Sequence, residues 1–146
     1  MKTVGEILRA KGNEVWAVSP RATVYEALEL MADKNIGAVL VIDNGMLVGI
    51  MSERDYARKV ILKGRASRDT YVREIMTERV AYVQPSQTTE ECMALMTSKR
   101  IRHLPVLEEG RLAGVISIGD VVKAIISDQG FIIEQLEHYI SGDLYR

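Results

Sequence analysis

The chain repeats itself. Displaced by 65 residues, Val15–Arg65 aligns with Val80–Gly130 without a gap, and about 16 of the 51 pairs are identical. Chance would match roughly one pair in twenty, so the repeat constrains the fold before any other feature is considered. Val18 meets Val83, Pro20 meets Pro85, Thr23 meets Thr88, Glu26 meets Glu91, Met31 meets Met96 and Ile36 meets Ile101. Further on, Gly45 meets Gly110, Gly49 meets Gly114, Ser52 meets Ser117 and Asp55 meets Asp120. Upstream of each copy, Val4-Gly5-Glu6-Ile7-Leu8 is similar to Val72-Arg73-Glu74-Ile75-Met76 once a small length difference is allowed. A unit of about 60 residues is close to the lower size limit for a self-sufficient core, so the two copies are expected to pack into one module. The expected division is a first repeat with its N-terminal helix at 1–65, a second repeat at 66–130 and a helical tail at 131–146.

The periodicities inside the repeat give its element order. Val15–Val18 and Val80–Val83 are short β-prone runs ending at Ser19-Pro20 and Gln84-Pro85. Thr23-x-x-Glu26 and Thr88-x-x-Glu91 are capping boxes that open helices, with Ala27, Leu28 and Met31 on one apolar face and Cys92, Met93 and Met96 on the other. Residues 37–42 and 103–107 read as buried strands, Asp43-Asn44-Gly45 and Glu108-Glu109-Gly110 as hairpin turns, and 46–51 and 111–116 as the partner strands. A second helix starts at Ser52 and again at Ser117, so each copy reads β-α-β-β-α. Residues 63–71 form a polar linker, and Phe131, Ile132, Leu136 and Tyr139 line one stripe of an expected C-terminal amphipathic helix.

Composition removes several function classes. The 19 basic and 20 acidic side chains leave a net charge of -1, which gives no global attraction to nucleic acid or anionic lipid, so a phosphate ligand needs locally clustered cations. No apolar run approaches the roughly 20 residues of a membrane span, and Met1–Glu6 lacks the apolar stretch of a secretory signal. Cys92 is the one cysteine, so no internal disulfide forms, and a reducing, cytoplasmic setting is expected. The chain has no glycine-rich dinucleotide or Walker loop, no Cys-x-x-Cys and no His-Glu-x-x-His, and its two histidines are His103 and His138. No enzyme activity is expected from such a set.

The repeated segment Gly49-Ile50-Met51-Ser52-Glu53-Arg54-Asp55 and its counterpart Gly114-Val115-Ile116-Ser117-Ile118-Gly119-Asp120, each joining a strand to a helix, resemble the motif of cystathionine-β-synthase (CBS) domains. Arg102-His103-Leu104-Pro105-Val106 is similar to the second-strand motif of that family. The resemblance covers nearly the whole chain and implies an α/β fold: a tandem CBS-domain pair, or Bateman module, of two β-α-β-β-α repeats with pseudo-two-fold symmetry, plus the C-terminal helix. It also implies a regulatory module. Such pairs bind AMP, ADP, ATP or NAD(H), with S-adenosylmethionine behind these, and no obligatory cofactor. They sense energy or redox state and alter an unidentified partner protein, commonly as homodimers formed through the CBS helices, without membrane or nucleic acid.

Two ligand clefts between the repeats are implied. One would use Ser52, Arg54 and Asp55 with Val83, Gln84, Pro85, Ile101, Arg102 and Pro105, with His103 nearby. The other would use Ser117 and Asp120 with Ser19, Pro20, Thr23, Ile36, Gly37 and Ala38. The chemistry is plausible on first principles: a helix N-terminus favours phosphate, a serine hydroxyl can donate to it, and a carboxylate can accept from both hydroxyls of a ribose. Gly49 and Gly114 would let an adenine edge approach the backbone. Arg54 and Arg102 make the first cleft the expected stronger phosphate site, because Gly119 and Gly37 take the equivalent places in the other. Ser-x-x-Asp is equally an ordinary helix cap, and capping alone accounts for both residues. His103 also reads as a hydrogen-bonded structural residue, and Cys92 as a packed, inert thiol. Two other functions remain in view: a nucleotide-processing enzyme, and a nucleic-acid-binding regulator using Arg58, Lys59, Lys63, Arg65 and Arg68.

Overall fold

The computed structural model describes residues 2–127, so the expected helix at 131–139, His138 and the tail lie outside the described residues. The described chain divides into two compact units. Glu14–Ala81 forms the first-repeat unit, and the segment up to Asn13 joins the chain from Tyr82 onward in the second-repeat unit. This differs from the sequential division at residue 65, because each repeat gives its leading segment to the other.

The first-repeat unit runs β1 (Ala17–Val18), α2 (Val24–Lys34), β2 (Ala38–Asp43), β3 (Met46–Ser52), α3 (Glu53–Lys59) and α4 (Val72–Ile75). β1 pairs parallel with β2, and β2 pairs antiparallel with β3. Its core is Val24, Ala27 and Met31 from α2, Val39, Val41 and Met51 from the sheet, and Val60, Val72 and Ile75 beyond it. The polar linker is docked on its own unit. Thr70 is buried and its hydroxyl donates to the Ala66 carbonyl, while Val72 N–H donates to Ala22 and Val24 N–H to Thr70.

The second-repeat unit holds α1 (Val4–Lys11), α5 (Thr89–Lys99), β4 (His103–Glu108), β5 (Arg111–Ser117) and α6 (Ile118–Ser127). β4 and β5 pair antiparallel, and Val83 adds a parallel bridge to Val106, the counterpart of Val18 opposite Val41. The repeat is therefore visible in the backbone. The ladder slips between Val41 and Ile42 and again between Val106 and Leu107. Both hairpins place their two central residues at positive φ: Asn44 and Gly45 in one, Glu109 and Gly110 in the other, as two-residue hairpin loops require. α2 and α5 both end on a left-handed residue, Asn35 and Arg100.

The exchange of leading segments has a packing reason. Gly114 in β5 leaves open the space that the Leu8 methyls of α1 fill, with a hypothetical Cβ 2.8 Å from Leu8 Cδ2. Gly49 in β3 does the same for Met76 and Thr77 after α4, where a Cβ would lie 2.7 Å from Met76 Sδ and 3.0 Å from the Thr77 carbonyl oxygen. The amides of Val4 and Gly5 donate to the carbonyls of Gln87 and Pro85, and Ile50 and Thr77 exchange both their backbone hydrogen bonds. On the side where a Cβ would stand, the repeated glycines admit Leu8 of α1 in one copy and Met76 and Thr77 in the other.

Candidate functional site

Both Ser-x-x-Asp motifs sit where a strand ends and a helix begins. Ser52 caps α3: its hydroxyl accepts from Asp55 N–H at 3.1 Å, while Asp55 Oδ2 accepts from Ser52 N–H at 3.0 Å and from the Ser52 hydroxyl at 3.1 Å. At the start of α6, Ser117 Oγ accepts from Asp120 N–H at 3.2 Å and Asp120 Oδ2 accepts from Ser117 N–H at 2.8 Å. The capping reading of these residues is thus realised in both copies. It occupies part of each carboxylate and leaves the rest to its neighbours.

Those neighbours differ. Asp55 Oδ1 forms an ion pair with Lys59, four residues on in the same helix, at 3.0 Å, and accepts from the Thr77 hydroxyl at 3.4 Å. Lys59 also donates to the Ile75 carbonyl at 2.9 Å. Both oxygens of Asp55 are therefore engaged. Asp120 takes its lysine from another element: Lys11, the last residue of α1, lies 2.6 Å from Oδ2 and donates to the Val115 carbonyl at 3.0 Å. The Ser117 hydroxyl also bears on this carboxylate. Burial works to raise the Asp120 carboxyl, but the hydrogen bond from Lys11, that from Ser117 N–H and the lysine charge together hold it below its ordinary value.

The structure brings the other candidates together unit by unit. In the first-repeat unit, Gly37 O accepts from Glu53 N–H at 3.0 Å and Ala38 pairs with Ser52, so Ile36, Gly37 and Ala38 border the motif that carries Arg54. In the second, Arg102 O accepts from Ile118 N–H at 2.8 Å and His103 pairs with Ser117, so Ile101, Arg102 and His103 border that motif. Each motif accordingly has one arginine in its own unit. Val83 is buried and bonds the Pro105 carbonyl, and Gln84 N–H bonds the Gln87 side chain. The Pro85 carbonyl receives Gly5 N–H. Ser19 Oγ accepts from Arg21 N–H, the Pro20 carbonyl accepts from Arg73 N–H, and Thr23 caps α2.

Sequence reasoning passed over Thr77 and Lys11 and read Lys59 only as part of a basic run. The Asp55–Lys59 spacing is a legible i,i+4 pair. Lys11 carried no local signal, because its partner is 109 residues away. The basic run itself is partly neutralised: Arg65 pairs with Glu74, and the Arg68 guanidinium lies 3.9 Å above the Tyr25 ring. Cys92 is fully buried, and burial followed by the Glu91 charge pushes its thiol up to about 11, as an inert core residue requires. Among the described residues no cluster of His, Cys, Asp or Glu could hold a metal ion, and no helix is long and apolar enough to cross a membrane.

Comparison with known proteins places this geometry in a family. The CBS domain matches the chain twice, over residues 4–62 and 72–127. The chain is 38% identical to the mitochondrial CBS domain-containing protein CBSX3 of Arabidopsis thaliana over 96% of its own length and 72% of the relative's. It is 33% identical to the CBS domain-containing protein YhcV of Bacillus subtilis over 80% of its length and 82% of that protein. Among solved structures, the CBS-domain protein ATU1752 of Agrobacterium tumefaciens superposes with a TM-score of 0.81 at 44% identity, covering 84% of this chain and 98% of that one. The CBS domain pair of protein MJ0100, crystallised with 5′-methylthioadenosine and S-adenosyl-L-methionine, shares the fold with a TM-score of 0.75 at 22% identity, covering 88% and 98%. This chain belongs to the CBS-domain family and carries the domain twice in tandem.

Proposed function

We propose that this protein is a regulatory, non-catalytic module that binds an adenosine-containing ligand through its Ser-x-x-Asp motifs and passes the occupancy to a partner protein. The observation that carries the reading is the second motif: a carboxylate held at a helix start, where Lys11 and the Ser117 amide fix Oδ2 and a carboxylate has acceptor capacity for a ribose diol. The adenosine ligands of the MJ0100 pair, on the same fold, support the ligand class. AMP, ADP, ATP and NAD(H) are the proposed ligands, with S-adenosylmethionine behind them. Arg102 stands beside the second motif and Arg54 within the first, each a forked donor for phosphate. A ligand acts by favouring one conformation of the pair, and its effect is bounded by its differential affinity for the two. Homodimer formation through the CBS helices and a cytoplasmic location belong to the same reading.

A thermal-shift panel of these five ligands tests it, because a ligand specific to the folded state raises stability by mass action. At about 100 times Kd the expected rise in Tm is about 5 to 10 °C for a chain of this size. No rise with any of them at millimolar concentration overturns the proposal.

A further inference from the structure

Lys11 is the residue in this fold whose placement is least explained by the helix it belongs to. It is the last residue of α1, followed by Gly12 at φ 93°, which ends the helix. Leu8, one turn earlier, seats its methyls against Gly114. That docking delivers the Lys11 ammonium to two oxygens of the second-repeat unit: the Val115 carbonyl, next to Gly114, and Asp120 Oδ2. A lysine that bridges a strand carbonyl and a carboxylate fixes the carboxylate's orientation as well as its charge, because the carbonyl is itself fixed in the β4–β5 ladder.

We propose that Lys11 is a positioning residue for ligand binding at Asp120: by bonding Oδ2 and the Val115 carbonyl at once it fixes the carboxylate in the orientation that accepts a ribose diol. This rests on the reading of Asp120 as a ribose acceptor. The first motif shows what the device changes. There the lysine comes from the same helix and pairs with Oδ1, while Ser52 takes Oδ2, so the carboxylate is oriented without a distant segment of the chain. In the second motif the Ser117 amide and Lys11 share Oδ2. Lys11 from α1 and Ser117 at the end of β5, through both its amide and its hydroxyl, act on the Asp120 carboxyl. Without the lysine, burial of the carboxylate favours the protonated acid, which offers a diol a weaker acceptor.

Isothermal titration of the full chain with AMP and with uncharged adenosine, from pH 7.5 to pH 5, tests the assignment in wild type, Lys11→Met, Lys11→Arg and Asp120→Ala. The expected result is a loss of about tenfold in affinity for both ligands in Lys11→Met. That loss widens as the pH falls, and Lys11→Arg recovers most of it. A loss confined to AMP overturns the assignment, since it makes Lys11 a direct phosphate contact. Unchanged or tighter adenosine binding in Lys11→Met with an unchanged pH profile overturns it as well. Carbon-detected titration of the Asp120 carboxyl separates the two layers of the argument. If no adenosine ligand binds wild type while the carboxyl still titrates higher in Lys11→Met, the ligand reading fails and the positioning contact stands. If the carboxyl does not move, the positioning role itself fails.

Discussion

The two Ser-x-x-Asp motifs share a cap and differ in everything around it. Both serines accept from the amide of the aspartate three residues later, and both aspartates return a bond to the serine amide. Beyond that, Asp55 is closed by Lys59 and Thr77 from its own unit's α3 and the turn after α4, while Asp120 is held on one oxygen by a lysine from the N-terminal helix. α3 has seven residues and α6 ten, so the second motif also stands on the longer helix. A duplicated motif thus keeps the backbone interaction that both copies need in order to fold and lets the side chains diverge where folding does not constrain them. The cap explains why Ser and Asp recur. It does not decide which copy can bind.

The largest expected effect follows directly. Asp120→Ala should weaken adenosine-ligand binding by about a hundredfold, because a charged acceptor of two hydrogen bonds is removed. Asp55→Ala should weaken it by no more than about threefold, because three hydrogen bonds and an ion pair already engage both oxygens of this carboxylate. Titration calorimetry of the two variants measures both. This ordering is opposite to the one that arginine placement alone leads to, in which Ser52, Arg54 and Asp55 with Arg102 make the stronger site. Equal losses, or the larger loss at Asp55, would break the comparison.

The second effect concerns the paired glycines. Ala at position 49 puts a Cβ 3.0 Å from the Thr77 backbone oxygen, which cannot rotate away, and 2.7 Å from the Met76 sulfur. Ala at position 114 meets the methyls of Leu8, which can. Overpacking of this kind costs about 1 to 3 kcal/mol, so Gly49→Ala is expected near about 2 to 3 and Gly114→Ala near about 1 in urea denaturation. The reverse order would show that α1 is seated more rigidly than the turn after α4.

Much of the architecture was legible because it is written in local rules. Thr23 and Thr88 cap their helices through complete capping boxes, Asn44-Gly45 and Glu109-Gly110 turn their hairpins, and the apolar sets Ala27 with Met31 and Cys92 with Met96 are buried. The first strands were overestimated: Ala17–Val18 is two residues long, and near residue 83 there is a single bridge, because each pairs with only one edge of its hairpin. The exchange of leading segments was not legible. Nothing near Leu8 specifies Gly114 over Gly49, since both glycines precede the same motif and both leading segments have a similar apolar pattern. For the same reason the site could be read as far as Ser117 and Asp120 but not as far as Lys11, whose role depends on a contact between distant parts of the chain. Gly49 and Gly114 were legible as places of close approach, but Met76, Thr77 and Leu8 as the groups that approach them were not.

The smallest effect isolates the two lysines in the absence of any ligand. The pair Lys11–Asp120 is about one-third and one-quarter exposed, with side-chain values of 34% and 23%, so solvent screening limits it to about 0.5 to 1 kcal/mol at pH 7. Lys59–Asp55, an i,i+4 pair on one helix, is expected to contribute about 0.3 to 0.5 kcal/mol. Lys11→Met and Lys59→Met measured by urea denaturation should fall in that order. The pH dependence sharpens the first case. The folded Asp120 carboxyl titrates below its ordinary 3.8, so above that value it is ionised in both the folded and the unfolded chain and the contribution of Lys11 is complete. As the pH falls through 3.8 the unfolded chain takes up its proton first, and the contribution drains away as the pH then passes the folded value. In Lys11→Met the carboxyl loses the lysine's lowering effects and titrates higher, so the stability gap between wild type and the variant should begin to close where the variant's carboxyl takes up its proton and vanish once the pH has passed the wild-type value. A gap that persists undiminished once Asp120 is protonated in both proteins would mean that Lys11 stabilises the unit through the Val115 carbonyl alone, and that Asp120 is a bystander to it.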